Sequence, residues 1–277
     1  MADLAFHFVF GLAPQREPLH LVHYLCLESC RRVNRPESIF FHCRHEPYGP
    51  LWDRIKPHLA LRKAPAANLI PDLGRYDKTD EGRLIRDAGW TYAHEADFLR
   101  LSIVLDEGGV YADMDTLFTR PLPARWLEKP FVLGEEAPVP GADGVLSPSL
   151  CNALMIARPG AAFARRWRER MAQVFDGTWS RHSNQEAVRL WADMPDTLHV
   201  VPQTCFYKHA ATRRGVRTLL EGHDPDTAGV YSLHLWAHLW WDATRTDFTS
   251  VHAGEIDEEY VRTRRTTYAV LAREFLD

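Results

Sequence analysis

Short apolar strand patterns alternate with helix patterns along this chain of 277 residues. The first strand is predicted over 5–10 and ends at Gly11, and a helix after Pro18 leads to a second strand over 38–42. Such alternation is typical of sheets whose strands are joined by helical crossovers. It predicts an α/β fold with a mainly parallel central sheet flanked by helices.

The clearest helix is predicted over 91–106, where apolar residues recur at helical spacing and Gly108 follows as a stop signal. The next stretch, 110–118, has the pattern of an extended segment. Further strands are predicted over 131–134, 152–156, 198–201 and 229–235, helices over 51–61, 161–175 and 255–275, and loops over 64–80 and 138–148. No repeat or linker divides the chain, so we expect one domain over 1–277.

Composition excludes several classes of protein. Hydrophobic residues make up 45% and charged residues 25% of the chain, as in packed globular proteins and unlike disordered chains. The formal net charge of -4 gives no general attraction to phosphate backbones, so no nucleic-acid partner is expected. No apolar stretch approaches the roughly 18 residues of a transmembrane helix, and no signal peptide is recognised, so the expected location is the cytoplasm.

Two aspartates, Asp113 and Asp115, follow the glycine pair Gly108-Gly109 in the densest run of functional residue types. In an extended segment, side chains at i and i+2 project from the same side, and the glycines let the backbone approach a ligand closely. Mg²⁺ or Mn²⁺ prefers such oxygen ligands, with ligand phosphates completing its coordination. Acidic pairs of this spacing also arise by chance on solvated faces.

The preceding helix adds a second pair of charged residues. Asp97 and Arg100 lie three positions apart, on one helical face, where both could reach the same ligand. The alternative is an ordinary surface ion pair, which stabilises a helix only slightly.

In combination these residues resemble the glycosyltransferases with a DXD sugar-binding region. These are the family 32-like enzymes, related to α1,4-galactosyl- and α1,4-N-acetylglucosaminyltransferases and to the glucosylating clostridial toxins. The resemblance covers residues 91–122 and has its parts in the family's order, namely Ala93-x-x-Ala96-Asp97-x-x-Arg100 followed by Gly108-Gly109-Val110-Tyr111-x-Asp113-x-Asp115.

The resemblance implies a GT-A-like fold and retaining transfer of a hexose or N-acetylhexosamine from a nucleotide sugar, usually a UDP-sugar, to a glycan or glycolipid. It implies that Asp97 and Arg100 hold donor-sugar hydroxyls and that Asp113 contacts ribose, sugar or metal. Asp115 would ligate Mn²⁺ or Mg²⁺, and Tyr111 would line the pocket. A lipid-linked acceptor would bring peripheral membrane association, and polysaccharide biosynthesis is the process that the family suggests.

The opening strand is similar to that of the same family and adds candidate substrate-binding residues. Phe8, Val9 and Phe10 are predicted to contact the donor, although Phe10 stands where many members have Trp. Gly109 is predicted beside the donor because it lacks a side chain.

A run of histidines and tryptophans over 231–241 forms a second candidate group. Aromatic residues and hydrogen-bonded histidines of a core would explain it equally well. The run also resembles the late His-x-Trp of related transferases, which implies that His234 binds metal or phosphate and that Trp236 binds substrate. On that resemblance, residues 229–277 would close over the donor site. His238, Trp240 and Trp241 are expected to pack or to shape an acceptor groove.

Other positions carry weaker signals. Asn152 begins an apolar strand and either faces the substrate or forms a turn. The run Ser183-Asn184-Gln185-Glu186 has the pattern of a helix capping box. Glu135 and Glu136 follow a strand and could face the acceptor, but adjacent acids point to different sides.

Two alternatives remain open. Asp113-Met114-Asp115-Thr116 also matches the D-x-D-x-T motif of haloacid-dehalogenase-like phosphatases, whose first aspartate is a nucleophile. That motif normally ends the first strand and needs a later Lys with an acidic pair, for which His223-Asp224-Pro225-Asp226 is a poor match. A non-catalytic module that binds nucleotide sugars is the other alternative. In a retaining transfer the leaving phosphate can deprotonate the acceptor, so no catalytic base is predicted.

Overall fold

A computed structural model describes residues 4–65, 88–140, 146–177 and 179–277, with side chains described outside 88–91 and 139–140. The predicted loop over 64–80 lies outside the described residues, apart from its first two positions. Residues 141–145 of the predicted loop over 138–148 lie outside them as well.

The described strands form a sheet of seven and a sheet of two. They are β1 (Ala5–Val9), β2 (Ser38–Cys43), β3 (Ala60–Lys63), β4 (Gly109–Ala112), β5 (Thr116–Phe118), β6 (Phe131–Pro140), β7 (Leu146–Ala157), β8 (His199–Val201) and β9 (Ser232–His234). The larger sheet has the order β3-β2-β1-β4-β7-β6-β8, and the smaller pairs β5 with β9. Only the pairs that involve β7 are antiparallel in the larger sheet, so its pairing is mainly parallel.

Helices flank this sheet on both faces. They are α1 (Leu21–Ser29), α2 (Pro50–Ile55), α3 (Ala88–Glu107), α4 (Ala124–Leu127), α5 (Ala162–Val174), α6 (Glu186–Asp193), α7 (Gln203–Phe206), α8 (Arg213–Leu220), α9 (Glu258–Thr263) and α10 (Thr267–Ala272). The predicted α/β fold with a mainly parallel central sheet is confirmed. In the described ranges no helix combines the length and the apolar character that crossing a bilayer requires.

Strand alternation divides the core into two clusters, one on each face of the sheet. Phe6 and Phe8 of β1 pack in the cluster that contains α1 and the C-terminal helices. Val9 and, from β4, Tyr111 pack in the cluster that contains α3 and α5. The expectation that Phe8 contacts a donor is therefore corrected, because this side chain is fully buried on the opposite face of the sheet from Val9.

The glycines after α3 have a structural role. Gly108 and Gly109 adopt φ values of 72° and 84°, which side-chain-bearing residues rarely adopt. A Cβ on Gly109 would lie 2.7 Å from the Ala5 carbonyl oxygen, so the glycine permits β4 to pair closely with β1. The close approach that Gly109 permits is to a neighbouring strand, and its contact with a donor stays a prediction.

Several predicted boundaries differ from the structure. The predicted helix over 51–61 ends early, and its last residues belong to β3. At its described positions, the predicted loop over 138–148 consists of the ends of the long strands β6 and β7. The predicted helix over 255–275 is interrupted because α9 and α10 each begin at a separate side-chain cap, Asp257 and Thr266.

Candidate functional site

A cavity of about 410 Å³ opens at the carboxyl ends of β1 and β4. Val9 and Phe10 reach it from β1, Asp97 and Arg100 from α3, and the C-terminal part of the chain closes another side. Six further candidates for the donor or metal site also line it, namely Tyr111, Asp113, Asp115, Asn152, His234 and Trp236. Ligands of open α/β sheets commonly bind at this edge of the strands.

The two aspartates of the DXD motif lie in a turn between sheets. β4 ends at Ala112 and β5 begins at Thr116, so the predicted continuous strand over 110–118 is interrupted at the motif. The Asp113 amide donates to the Ala153 carbonyl at 2.8 Å, and the Thr116 amide donates to the Asp113 carbonyl at 3.1 Å. These backbone bonds fix the turn, and both carboxylates line the cavity.

Arg100 joins the helix to the DXD turn. Its Nη1 donates to Asp113 Oδ2 at 3.2 Å, and its Nη2 lies 3.4 Å from Asp97 Oδ1. The Arg100 side chain is only 10% exposed, which excludes the alternative of a surface ion pair. Tyr111 donates its hydroxyl to Asp113 Oδ1 at 2.6 Å, so four charged or polar groups from three segments converge here.

Asp97 is held on both oxygens. Asn152 Nδ2 donates to Oδ1 at 2.7 Å, and His182 Nε2 lies 3.0 Å from Oδ2. Burial alone would raise the pKa of Asp97, but Arg100 and His182 hold that pKa below its ordinary value. Asn152 therefore orients a carboxylate in the site rather than forming a turn.

Asp113 differs from Asp97 although both contact Arg100. Burial raises the pKa of Asp113 above its ordinary value, and the guanidinium only partly opposes this effect. A bound cation would favour its ionised form.

Asp115 and His234 meet across the small sheet. The Ala237 amide donates to Asp115 Oδ2 at 2.7 Å, and the Leu235 amide donates to the Asp115 carbonyl at 2.9 Å. His234 Nδ1 lies 3.3 Å from Asp115 Oδ1, but the angles are not those of a hydrogen bond. Within the described parts of the chain this buried nitrogen has no hydrogen-bond partner.

These contacts produce a donor set suited to a divalent cation. One atom each from Asp113, Asp115 and His234 lies within 4.8 Å of the others. Carboxylate oxygens with one imidazole nitrogen suit Mn²⁺, and oxygens alone suit Mg²⁺. Among the described residues, Nδ1 of His234 is a buried nitrogen without a hydrogen-bond partner, and coordination to such a cation would give it one.

Trp236 packs over the same corner of the cavity. Its backbone is left-handed, with φ 56°, and its indole Nε1 donates to the His209 carbonyl at 2.7 Å. Its ring makes an edge-to-face contact with His234, with centroids 4.3 Å apart and an interplanar angle of 74°. Trp240, by contrast, is fully buried, as expected for a packing residue.

The cavity also contains residues that the sequence did not single out. His23 Nδ1 donates to the Met114 carbonyl at 3.1 Å, and the His23 ring stacks on Trp241 with centroids 4.9 Å apart. Trp179 lines the cavity, and His182 supports Asp97 from behind. Two residues of the predicted capping box, Ser183 and Asn184, also line the cavity. They lie in a π-helical turn, Arg181–Gln185, which lacks the predicted side-chain cap.

Sequence comparison assigns this region. Residues 58–132 match the family model described as "Glycosyltransferase sugar-binding region containing DXD motif", a range that holds Asp97, Arg100, Asp113 and Asp115. This part of the chain is similar to the sugar-binding region of the DXD glycosyltransferases. The predicted resemblance is confirmed for it.

A curated relative extends the similarity beyond that region. Glucan organizing enzyme 1 of Cryptococcus neoformans var. grubii serotype A is 32% identical over 243 residues, which cover 85% of this chain. The chain spans 62% of the length of that relative.

Two solved structures are more distantly similar. The apo-form glycosyltransferase GlyE of Streptococcus pneumoniae TIGR4 matches with 13% identity and a TM-score of 0.48, covering 99% of this chain and 63% of that one. The PaToxG Glycosyltransferase matches with 12% identity and a TM-score of 0.45, covering 70% of each chain.

Proposed function

We propose that this protein is a metal-dependent, retaining glycosyltransferase. It moves a hexose or N-acetylhexosamine from a UDP-sugar to a glycan or glycolipid acceptor, and it acts as one GT-A-like domain over 1–277. The observation that carries the proposal is the convergence of Asp113, Asp115 and His234 beside the buried pair of Asp97 and Arg100, inside a DXD glycosyltransferase region.

In this proposal Asp113, Asp115 and His234 hold Mn²⁺ or Mg²⁺. Such a cation would stabilise the negative charge that develops on the departing diphosphate. The Ala237 amide keeps one oxygen of Asp115 occupied, so the carboxylate cannot rotate freely and its other oxygen stays directed toward His234. The charge on Asp113 is balanced on the far side by Arg100.

Asp97 and Arg100 would hold the hydroxyl groups of the donor sugar. Their positions are fixed by Asn152 and His182, so little reorganisation is needed when the sugar binds. Arg100 Nε and Nη1 donate to Ala96, Asp113 and Asn152, whereas Nη2 makes only the longer contact of 3.4 Å with Asp97. In this proposal Nη2 is the donor that contacts a sugar hydroxyl.

The nucleotide would lie along the carboxyl end of β1. Val9 and Phe10 give this wall its apolar character, and the rings of Phe10 and His23 are 4.7 Å apart. Residues 229–277 would close over the donor, with Trp236 and His238 already lining the cavity.

The acceptor is proposed from chemistry and similarity together. A glycan or lipid-linked glycan fits the family, and the name of the fungal relative refers to glucan, which supports a role in polysaccharide biosynthesis. We propose a cytoplasmic location with peripheral membrane association through a lipid-linked acceptor.

Turnover of a panel of UDP-sugars with Mn²⁺ tests this function. We expect UDP release from one of them, stereochemistry retained in the product by NMR, and no release from the Asp115→Asn variant. Phosphate release that does not depend on the sugar would instead favour the phosphatase alternative. Binding of UDP-sugars without any turnover would favour the non-catalytic module.

A further inference from the structure

Among the described residues, four carboxylates line the cavity, and three of them lie against a cationic side chain, a backbone amide or the candidate metal ligand His234. Asp97 and Asp113 both contact Arg100, and Asp115 accepts from the Ala237 amide beside His234. Each of these three therefore already has a charged partner or a backbone amide as a hydrogen-bond donor. The fourth carboxylate, Glu136, has a different environment.

Glu136 lies on β6 opposite Ser149 of β7. Its Oε2 accepts from Asn184 Nδ2 at 2.7 Å and from Ser149 Oγ at 3.2 Å. Both donors are neutral, and both act on the same oxygen. They fix the orientation of the carboxylate while leaving Oε1 available to a group in the cavity.

The adjacent acid points away from the cavity. Glu135 is exposed, whereas Glu136 lines the cavity, as strand alternation requires. The chain therefore supplies a matched pair of neighbouring glutamates, of which one faces the substrate and one faces water.

We propose that Glu136 takes up the proton of the acceptor hydroxyl during glycosyl transfer. This inference rests on the proposed transferase function and adds the catalytic base that the sequence did not reveal. Asn184 and Ser149 are the positioning residues that hold Glu136 for this role.

The electrostatic environment supports this role. Burial raises the pKa of Glu136 above its ordinary value, and the bonds from Ser149 and Asn184 and the nearby His234 only partly oppose the effect. The ionisable groups around it are His234 on β9 and the Cys151 thiol on β7, which is itself buried. A carboxylate whose pKa moves toward neutrality accepts a proton more readily.

The proposed step balances as follows. A lone pair of the acceptor oxygen forms the bond to the anomeric carbon, and the bond from that carbon to the diphosphate oxygen breaks with its electron pair leaving on the diphosphate. The hydroxyl proton moves to Oε1 of Glu136, which later releases it to water. The departing diphosphate is the competing proton acceptor.

Hydrolysis of the UDP-sugar that turns over, with water as the acceptor, tests the proposal without knowledge of the natural acceptor. We compare Glu136→Gln with Glu135→Gln, and confirm folding by thermal melting and donor-site integrity by calorimetry with UDP and Mn²⁺. Glu136→Gln should bind UDP normally but lose about 100-fold or more in kcat. It should also lose the acidic limb of the kcat–pH profile, and Glu135→Gln should match the wild type.

A second variant separates proton uptake from packing. In Glu136→Ala, added formate should restore part of kcat, because a free carboxylate can occupy the vacated space. If Glu136→Gln keeps the kcat and pH profile of the wild type, the diphosphate takes the proton and the proposal is wrong. If UDP binding is intact in every variant but the wild type releases no UDP from any sugar, the proposed transferase function fails and this inference falls with it.

Discussion

The two sides of the cavity differ in the partners that the chain provides for the negative charge of their carboxylates. On the α3 side, the chain supplies a cation of its own, because Arg100 lies between Asp97 and Asp113. On the β9 side, Asp115 lies 3.3 Å from a ring nitrogen of His234 that makes no hydrogen bond among the described residues. The comparison teaches that the chain's own arginine neutralises the carboxylates on the first side, whereas the second side leaves a buried ring nitrogen that a bound cation could satisfy.

Replacing Arg100 by Met should produce the largest effect on folding. Removing the guanidinium leaves two buried carboxylates without their cation, which should cost about 3–5 kcal/mol in the free energy of unfolding. Urea unfolding measures this loss. Arg168→Met is the matched control, because its contact with Asp106 is exposed at 3.7 Å and should contribute less than about 1 kcal/mol. Equal losses of unfolding free energy in the two variants would contradict the claim that Arg100 neutralises buried carboxylates on the α3 side.

Replacing His234 by Gln should affect ligand binding more than folding. If this nitrogen belongs to a cation site, the affinity for Mn²⁺ in the presence of UDP should fall by about 10- to 100-fold. Calorimetry or electron paramagnetic resonance of Mn²⁺ measures the affinity. His252→Gln, at an exposed ion pair with Glu255, should leave it unchanged. An unchanged Mn²⁺ affinity in His234→Gln would show that His234 is not part of a cation site on the β9 side.

The smallest effect should appear in the pH dependence of stability. Because burial raises the pKa of Glu136 in the folded state, the folded protein retains a proton that the unfolded chain has already lost. Stability from this group is therefore present below the ordinary value of 4.5 and declines as pH rises toward the raised value.

Glu136→Gln has no proton to lose, so its stability should decline less than that of the wild type over this range. Urea unfolding at several pH values between 4.5 and neutrality measures the two slopes. Asp97 provides the opposite case, since its lowered pKa adds stability that is lost only as pH falls. Parallel curves for wild type and Glu136→Gln would contradict the assigned environment of Glu136.

Local patterns in the sequence predicted the α3 side well. Asp97 and Arg100 share a helical face, and the DXD aspartates follow within one short stretch, so spacing alone brings them near each other. Even there, the sequence predicted a continuous strand where the structure has a turn between two sheets. Alternation of apolar residues cannot show where a strand leaves one sheet for another.

The parts of the site that were missed come from distant segments. His182 reaches Asp97 across 85 positions of the chain, and His23 reaches the Met114 carbonyl across 91. No local periodicity encodes such contacts, because they depend on how α1 and the π-helical turn pack around the sheet. Glu136 was visible as one of two adjacent acids, but only the register of β6 with β7 shows which of them faces the cavity.

The central claim is that Asp115 forms part of a cation-dependent site for the donor nucleotide. Calorimetry of UDP binding, with and without Mn²⁺, for the wild type, Asp115→Asn and the exposed control Asp106→Asn tests it most directly. The account predicts binding that requires Mn²⁺ in the wild type and in Asp106→Asn, and that is lost in Asp115→Asn. UDP binding that is independent of both Mn²⁺ and Asp115 would contradict it.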